Sequence, residues 1–121
     1  MKDYTVLIAE DDAMVRECYE AVFARYAPDW NVQSYATAEE AIEHVNKADC
    51  LITDYNMGDG MNGLELAKNA KMVNPLLPVY LVSGSAHLRD DFDSAREKGT
   101  IDRFLSKPIR ARRLVHMLQQ N

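Results

Sequence analysis

Five short β-prone runs recur along the chain at residues 4–9, 31–35, 49–54, 79–82 and 101–105, each followed by a stretch with helical spacing. This alternation limits the fold more than any other feature. Most of the runs are continuously apolar, so both faces of each strand must be covered, as in a parallel sheet flanked by helices. The stretches between them supply the helices. Asp12 caps the first, and Val15, Cys18, Tyr19, Val22, Phe23 and Tyr26 form its apolar stripe, which Ala27-Pro28-Asp29 ends. Thr37-Ala38-Glu39-Glu40 has the spacing of a capping box, with Ala38, Ala41, Ile42 and Val45 as the inward face.

Gly58, Gly60 and Gly63 mark a turn before a helix over residues 64–73, and Pro75 and Pro78 bracket the next gap. Leu88, Phe92 and Ala95 give a fourth helix, which Gly99 stops, while Leu114, Val115 and Leu118 face the last one inward. The expected architecture is therefore α/β, with a β-α unit repeated five times in one domain over residues 1–121.

Composition removes the competing classes. The 121 residues suffice for one core, and apolar and charged fractions of 47% and 27% are ordinary for a globular chain. No apolar run is long enough to span a membrane. The start, MKDYTVLIAEDD, has charge on both sides of a short apolar run and is read as the beginning of the fold rather than a signal peptide. Cys18 and Cys50 stand far apart, which fits a reducing cytoplasm; both fall on predicted core faces and are read as small hydrophobes. Net charge is −5: residues 1–85 carry six Lys/Arg against fourteen Asp/Glu, and residues 86–121 eight against five. An acidic chain repels nucleic acid, so no direct nucleic-acid binding is expected. His44, His87 and His116 have no metal-binding spacing and are read as surface side chains.

In sheets of this class ligands bind beyond the carboxyl ends of the strands. There the sequence places Glu10 and Asp11 after the first run, Asp54 after the third, Ser83 after the fourth and Lys107 just beyond the fifth. Taken singly, each is an ordinary loop residue. Together they put three carboxylates, a hydroxyl and an ammonium on one edge. Mutual repulsion raises at least one carboxylate pKa unless a cation intervenes, and a hard divalent ion with oxygen ligands suits that role. Lys107 adds a compact positive charge for an anion. The edge so read holds a metal and a phosphoryl group, with a carboxylate as nucleophile.

These residues carry a resemblance over essentially the whole chain. Leu7-Ile8-Ala9-Glu10-Asp11-Asp12, Leu51-Ile52-Thr53-Asp54, Met57 with Gly63-Leu64-Glu65-Leu66, Val79-Tyr80-Leu81-Val82-Ser83-Gly84 and Phe104-Leu105-Ser106-Lys107-Pro108 resemble the receiver domain of bacterial two-component response regulators (the CheY-like family). The resemblance implies a doubly wound, flavodoxin-like (βα)5 fold with strand order 2-1-3-4-5. It implies that Asp54 is the phosphoacceptor and that Asp11 holds Mg2+ directly, with Glu10 acting through water and Mn2+ as an alternative ion. The backbone carbonyl of Asn56 would be a further ligand. Ser83 and Lys107 would each contact a phosphoryl oxygen, and Phe104 matches a switch aromatic, here without the hydroxyl of the commoner Tyr. The donor would be a sensor histidine kinase or phosphotransfer protein. The output surface would be the fourth helix, fifth strand and fifth helix, with Arg89, Asp90, Arg103, Arg112, Arg113 and His116. Such a domain phosphorylates and dephosphorylates itself but turns over no external substrate.

One stretch departs from the family. Met57 is followed by Gly58-Asp59-Gly60-Met61-Asn62, one residue longer than usual and without the usual proline, so a mobile loop is expected beside the site. A calcium loop starting at Asp54 is rejected, because Gly58 and Asp59 occupy the positions where a ligand and a glycine are needed. A phosphatase with an aspartyl intermediate would need an acid two residues after its nucleophile, where Asn56 stands. An interaction module without phosphorylation is disfavoured because all five chemical positions are filled. Either the chain works alone by docking to a partner, or it is the receiver part of a longer regulator.

Overall fold

The computed structural model describes residues 4–120; the charged start at 1–3 and Asn121 lie outside them. Five strands form one parallel sheet in the order β2-β1-β3-β4-β5: β1 Thr5–Ala9, β2 Asn31–Tyr35, β3 Cys50–Asp54, β4 Val79–Ser83 and β5 Arg103–Ser106. The helices are α1 Ala13–Tyr26, α2 Ala38–Ile42, α3 Gly63–Val73, α4 Arg89–Glu97 and α5 Ala111–Gln119. The order and the parallel pairing match the expectation.

The strand period of two divides the core into two layers. Val6, Ile8, Cys50, Ile52, Tyr80 and Val82 point to the face covered by Tyr19 and Phe23 of α1 and by Leu114, Val115 and Leu118 of α5. Leu7, Ala9, Leu51, Val79 and Leu81 point to the opposite face, under α2, α3 and α4. The three inner strands are buried on both faces, which is why their sequences do not alternate. At one edge β2 is half-buried throughout, and at the other β5 exposes both its ends.

Four expectations change. Cys18 is exposed, because one residue turns a helix by about 100° and Cys18 stands that far from the buried Tyr19. The second helix ends at Ile42, and Val45 lies in a separate 3-10 turn, Val45–Lys47. Asn74 Nδ2 donates to the carbonyls of Val45 and Ala48 at 3.2 and 3.4 Å, which holds this tighter turn. Leu88 precedes α4 in another such turn, Ala86–Leu88. The fifth strand starts at Arg103 rather than residue 101, because Asp102 closes the sheet end itself. Its carboxylate accepts from Val79 N at 2.7 Å and from Lys71 Nζ at 2.8 Å.

The caps follow the sequence in part. Asp12 Oδ1 accepts from Met14 N and Val15 N. Thr37 Oγ1 accepts from Glu40 N, yet the Glu40 carboxylate takes the Thr37 hydroxyl. The reciprocal box stands at α3 instead, where Asn62 and Glu65 each accept from the other's backbone N–H. Gly99 ends α4 with φ of 80°, where a side chain would be strained. Among the described residues no helix is long and apolar enough to cross a membrane.

Candidate functional site: an acidic cluster with one lysine at the carboxyl edge of the sheet

Parallel register brings the strand ends to one edge. Ala9 pairs with Thr53, Asp54 with Val82, and Ser83 with Ser106, so Glu10, Asp11, Asp54, Ser83 and Lys107 all follow or end a strand there. Glu10, Asp11 and Asp54 each offer a carboxylate oxygen, and these oxygens lie within 4.8 Å of one another. Glu10 and Asp54 are buried, whereas Asp11 is exposed. Lys107 Nζ stands 2.9 Å from Asp54 Oδ2 and 3.9 Å from Glu10 Oε1.

The backbone around the cluster is held closely. Glu10 N donates to Tyr35 O at 3.0 Å, and the Glu10 carboxylate accepts from Asp12 N at 3.1 Å. Arg16 Nη1 reaches back from α1 to the Glu10 carbonyl at 2.8 Å. Thr53 Oγ1 donates to the Asp54 carbonyl at 2.9 Å. Lys107 N donates to Ser83 O at 2.9 Å, and the Lys107–Pro108 peptide is cis. No sequence pattern gives Arg16 or Thr53 these backbone contacts. Apolar periodicity marks only the buried stripe, and a polar contact to a backbone carbonyl leaves no pattern.

Charge in the cluster is unbalanced. Burial pushes the Glu10 carboxyl up, and the Asp54 charge adds to this; the Asp12 amide and Lys107 oppose it, leaving a pKa of about 7. Burial works against the Lys107 ammonium, but the hydrogen bond to Asp54 and the charges of Asp54, Glu10 and Asp11 outweigh it, and its pKa is raised. Beneath the cluster the Tyr19 phenol is pushed to about 12 by burial first and by Glu10 and Asp54 next. Three carboxylates facing one ammonium leave an excess of negative charge in a partly dry site. That donor set fits a hard divalent cation with oxygen ligands and solvent access through Asp11.

Ser83 is buried, and its Oγ accepts from Ser85 N at 3.0 Å, leaving the hydroxyl proton to donate elsewhere. A cavity of about 200 Å³ lies beside it, bounded by Gly84, Arg89, Phe104 and Lys107. Phe104 is half-buried against this cavity. Its ring centroid is 4.7 Å from that of Phe92, and the Arg89 guanidinium lies 5.6 Å from it over the ring. Asn56 is exposed two residues beyond Asp54. Met57 is buried in the core, whereas Met14 is 79% exposed and does not pack on the acidic edge.

The loop after Asp54 is fastened more firmly than its glycines imply. Gly58 uses its freedom at φ of 81°, but Gly63 N donates to Tyr55 O at 2.8 Å and closes the loop on itself. Gly63 packs directly against the Asp54 carbonyl, and a Cβ there would collide with that oxygen. Gly63→Ala is therefore expected to cost about 1–3 kcal/mol in urea unfolding, since backbone must move.

Residues 6–119 match the family model of the response regulator receiver domain. The chain is 31% identical over 115 residues to a cyclic di-GMP phosphodiesterase response regulator, RpfG, of Xanthomonas campestris, with 90% of this chain and 29% of that protein covered. It is 30% identical over 119 residues to the response regulator receiver protein CpdR of Brucella abortus, with 95% and 93% covered. A DNA-binding transcriptional regulator, NtrC, of Rhizobium meliloti matches at 29% identity, with 98% and 24% covered. The chain thus spans less than a third of RpfG and NtrC and nearly all of CpdR. Among solved structures, a CheY-like receiver domain protein of Methanospirillum hungatei superposes with a TM-score of 0.82 at 22% identity, covering 97% of this chain and 91% of that one. The chemotaxis response regulator CheY4 of Vibrio cholerae gives 0.79 at 22% identity, with 97% of each chain covered. These structures share the fold, and the family match supplies the rest: the chain belongs to the response regulator receiver domain family.

Proposed function

We propose that residues 1–121 form one receiver unit that accepts a phosphoryl group on Asp54 in a Mg2+-dependent reaction. Receiver domains are signalling domains of two-component systems rather than turnover enzymes. The observation that carries it is the contact between Lys107 Nζ and Asp54 Oδ2 at 2.9 Å inside a cluster of three carboxylates.

Asp54 supplies the attacking oxygen. An Oδ–P bond forms as the donor's bond to phosphorus breaks, and the group on Asp54 becomes an acyl phosphate. Lys107 moves from the Asp54 carboxylate toward a phosphoryl oxygen, and the Ser83 hydroxyl donates to another. Asp11, Glu10, Asp54 and the Asn56 carbonyl would hold Mg2+, or Mn2+ in its place. The ion, when bound, neutralises charge that develops on the phosphoryl oxygens. The donor is a sensor histidine kinase or a phosphotransfer protein in the cytoplasm, and acetyl phosphate serves in vitro.

The output is a rearrangement of α4, β5 and α5. The cavity between Ser83 and Phe104 gives the serine and the ring room to move. A groove of about 840 Å³ along β5 and α5 is rimmed by Arg103, Arg110, Arg112 and Arg113, which suits an acidic protein partner. Intact mass after incubation with acetyl phosphate tests the reading. We expect a gain of one phosphoryl group with Mg2+ and none with chelator, and borohydride reduction should convert residue 54 to homoserine. No gain, together with no complex formed with beryllofluoride and Mg2+, would sink it and favour an interaction module without phosphorylation.

A further inference from the structure

The lengthened loop at residues 58–62 has a partner outside its own segment. Two consecutive amides near its end are each held by a carboxylate. Asn62 N donates to Glu65 Oε1 at 3.0 Å, a contact local to the start of α3. Met61 N donates to Glu39 Oε2 at 2.7 Å, and Glu39 comes from α2, twenty-two residues earlier in the chain. Gly60 makes room for this contact: a Cβ there would stand 2.7 Å from Glu39 Oε2 and 2.9 Å from Oε1. The Glu39 side chain is exposed, so it is not held there by packing. Its carboxyl pKa is lowered, first by the Met61 amide, in keeping with an ionised acceptor. Met61 is anchored further by Asn69 Nδ2, 3.5 Å from its Sδ, and by contact with the core under α2 and α3.

The other end of the loop is tied to the site. Gly63 bonds to Tyr55 O and lies against the Asp54 carbonyl, so residues 56–62 form a closed excursion with Asn56 at one end and the Glu39 contact near the other. Losing the Glu39 bond loosens the backbone at Met61 even while its side chain stays packed, and glycines at 58 and 60 give the excursion little stiffness of its own to hold its course.

We propose that Glu39 is a positioning residue for the phosphoryl site: it latches the 58–62 loop to α2 and thereby holds the Asn56 segment beside Asp54 for metal binding. This rests on the reading of that edge as a metal-assisted phosphoacceptor. It also makes α2 a route by which a partner bound on that helix alters the site, by taking Glu39 away from Met61.

The test compares wild type, Glu39→Ala, Glu39→Gln and Gly60→Ala with two readouts that need no phosphorylation. One is amide hydrogen exchange at Met61, and the other is Mg2+ affinity from amide shift titration. In Glu39→Ala the Met61 amide should exchange about tenfold faster, and Mg2+ should bind about threefold to tenfold more weakly, as the loss of one charge-assisted hydrogen bond implies. Glu39→Gln keeps an acceptor oxygen and should recover most of both losses. Gly60→Ala should reproduce them by pushing the carboxylate aside. Phosphorylation by acetyl phosphate should need proportionally more Mg2+ but reach a maximal rate within about twofold of wild type, whereas a merely structural role would lower the urea midpoint instead. Unchanged exchange at Met61 in Glu39→Ala would overturn the latch. Faster exchange with unchanged Mg2+ affinity would overturn its positioning role. A wild type that binds Mg2+ but takes no phosphoryl group would instead refute the phosphoacceptor reading, while the exchange and affinity readouts still decide on Glu39.

Discussion

Asp54→Asn is expected to abolish the gain of one phosphoryl group outright, and Lys107→Met to slow it by about 10²–10³-fold at saturating Mg2+. The two effects differ because the two residues do different things. A carboxamide in place of the Asp54 side chain has no carboxylate oxygen to attack with. On the proposed reading, Lys107→Met leaves the acceptor carboxylate in place but removes the ammonium 2.9 Å from Asp54 Oδ2, the cation that meets both buried carboxylates of the cluster among the described residues. Lys107→Arg keeps the charge but replaces a compact point with a planar fork, so it should recover only part of the rate. Folding does not confuse the outcome for Asp54. Asparagine is nearly isosteric and relieves repulsion among carboxylates lying within 4.8 Å of one another, so the thermal midpoint of Asp54→Asn should equal or exceed that of wild type. Initial rates by intact mass, with thermal midpoints alongside, check both. A mass gain that persists in Asp54→Asn would place the acceptor elsewhere, and a Lys107→Met rate within about threefold of wild type would remove the lysine from the chemistry.

The strand ends were legible in the sequence for a definite reason. The first, third and fourth runs are short, apolar and end at or just before a polar residue, so Glu10, Asp54 and Ser83 mark both the end of a strand and the edge where the ends meet. The parallel arrangement followed from the runs being buried on both faces. What failed was information about space. Glycines at 58 and 60 told of backbone freedom, but not that a carboxylate from α2 fills the room left by the missing Cβ of Gly60. Thr37 and Glu40 have the right spacing for a capping box, yet the reciprocal bonds form at Asn62 and Glu65, within a stretch that reads first as a turn. Cys18 has the spacing of the α1 stripe, but the buried part of that stripe is centred on Tyr19 and Phe23 and leaves Cys18 exposed. The spacing of residues 101–105 does not show that Asp102 meets Val79 with its side chain: its backbone N–H donates to Val79 O, while its carboxylate takes the Val79 N–H.

Phe92→Ala should be the most destabilising single substitution proposed here, at about 3–5 kcal/mol. Phe92 is fully buried on α4, and its ring lies 5.2 Å from that of Tyr55 and 4.7 Å from that of Phe104. It therefore joins three elements: α4, the residue after β3 that follows Asp54, and β5. Truncation opens a cavity whose walls belong to a sheet on one side and a helix on the other. Such walls collapse poorly, and total stabilities of about 5–15 kcal/mol leave little in reserve. Phe92→Leu fills most of the space and should cost less than about 1.5 kcal/mol. Phe104 is half-buried, with Arg89 over one face, so Phe104→Ala should cost less than Phe92→Ala although the same atoms are removed. Urea unfolding of the three variants gives the order directly. If Phe104→Ala proves the costlier, the ring on β5 rather than the one on α4 holds this face together, and an output that works by moving Phe104 would have to break the main packing contact of the domain's basic side. With the order expected here, Phe92 is the main packing contact of this face, and the proposed movement of Phe104 would cost the fold less.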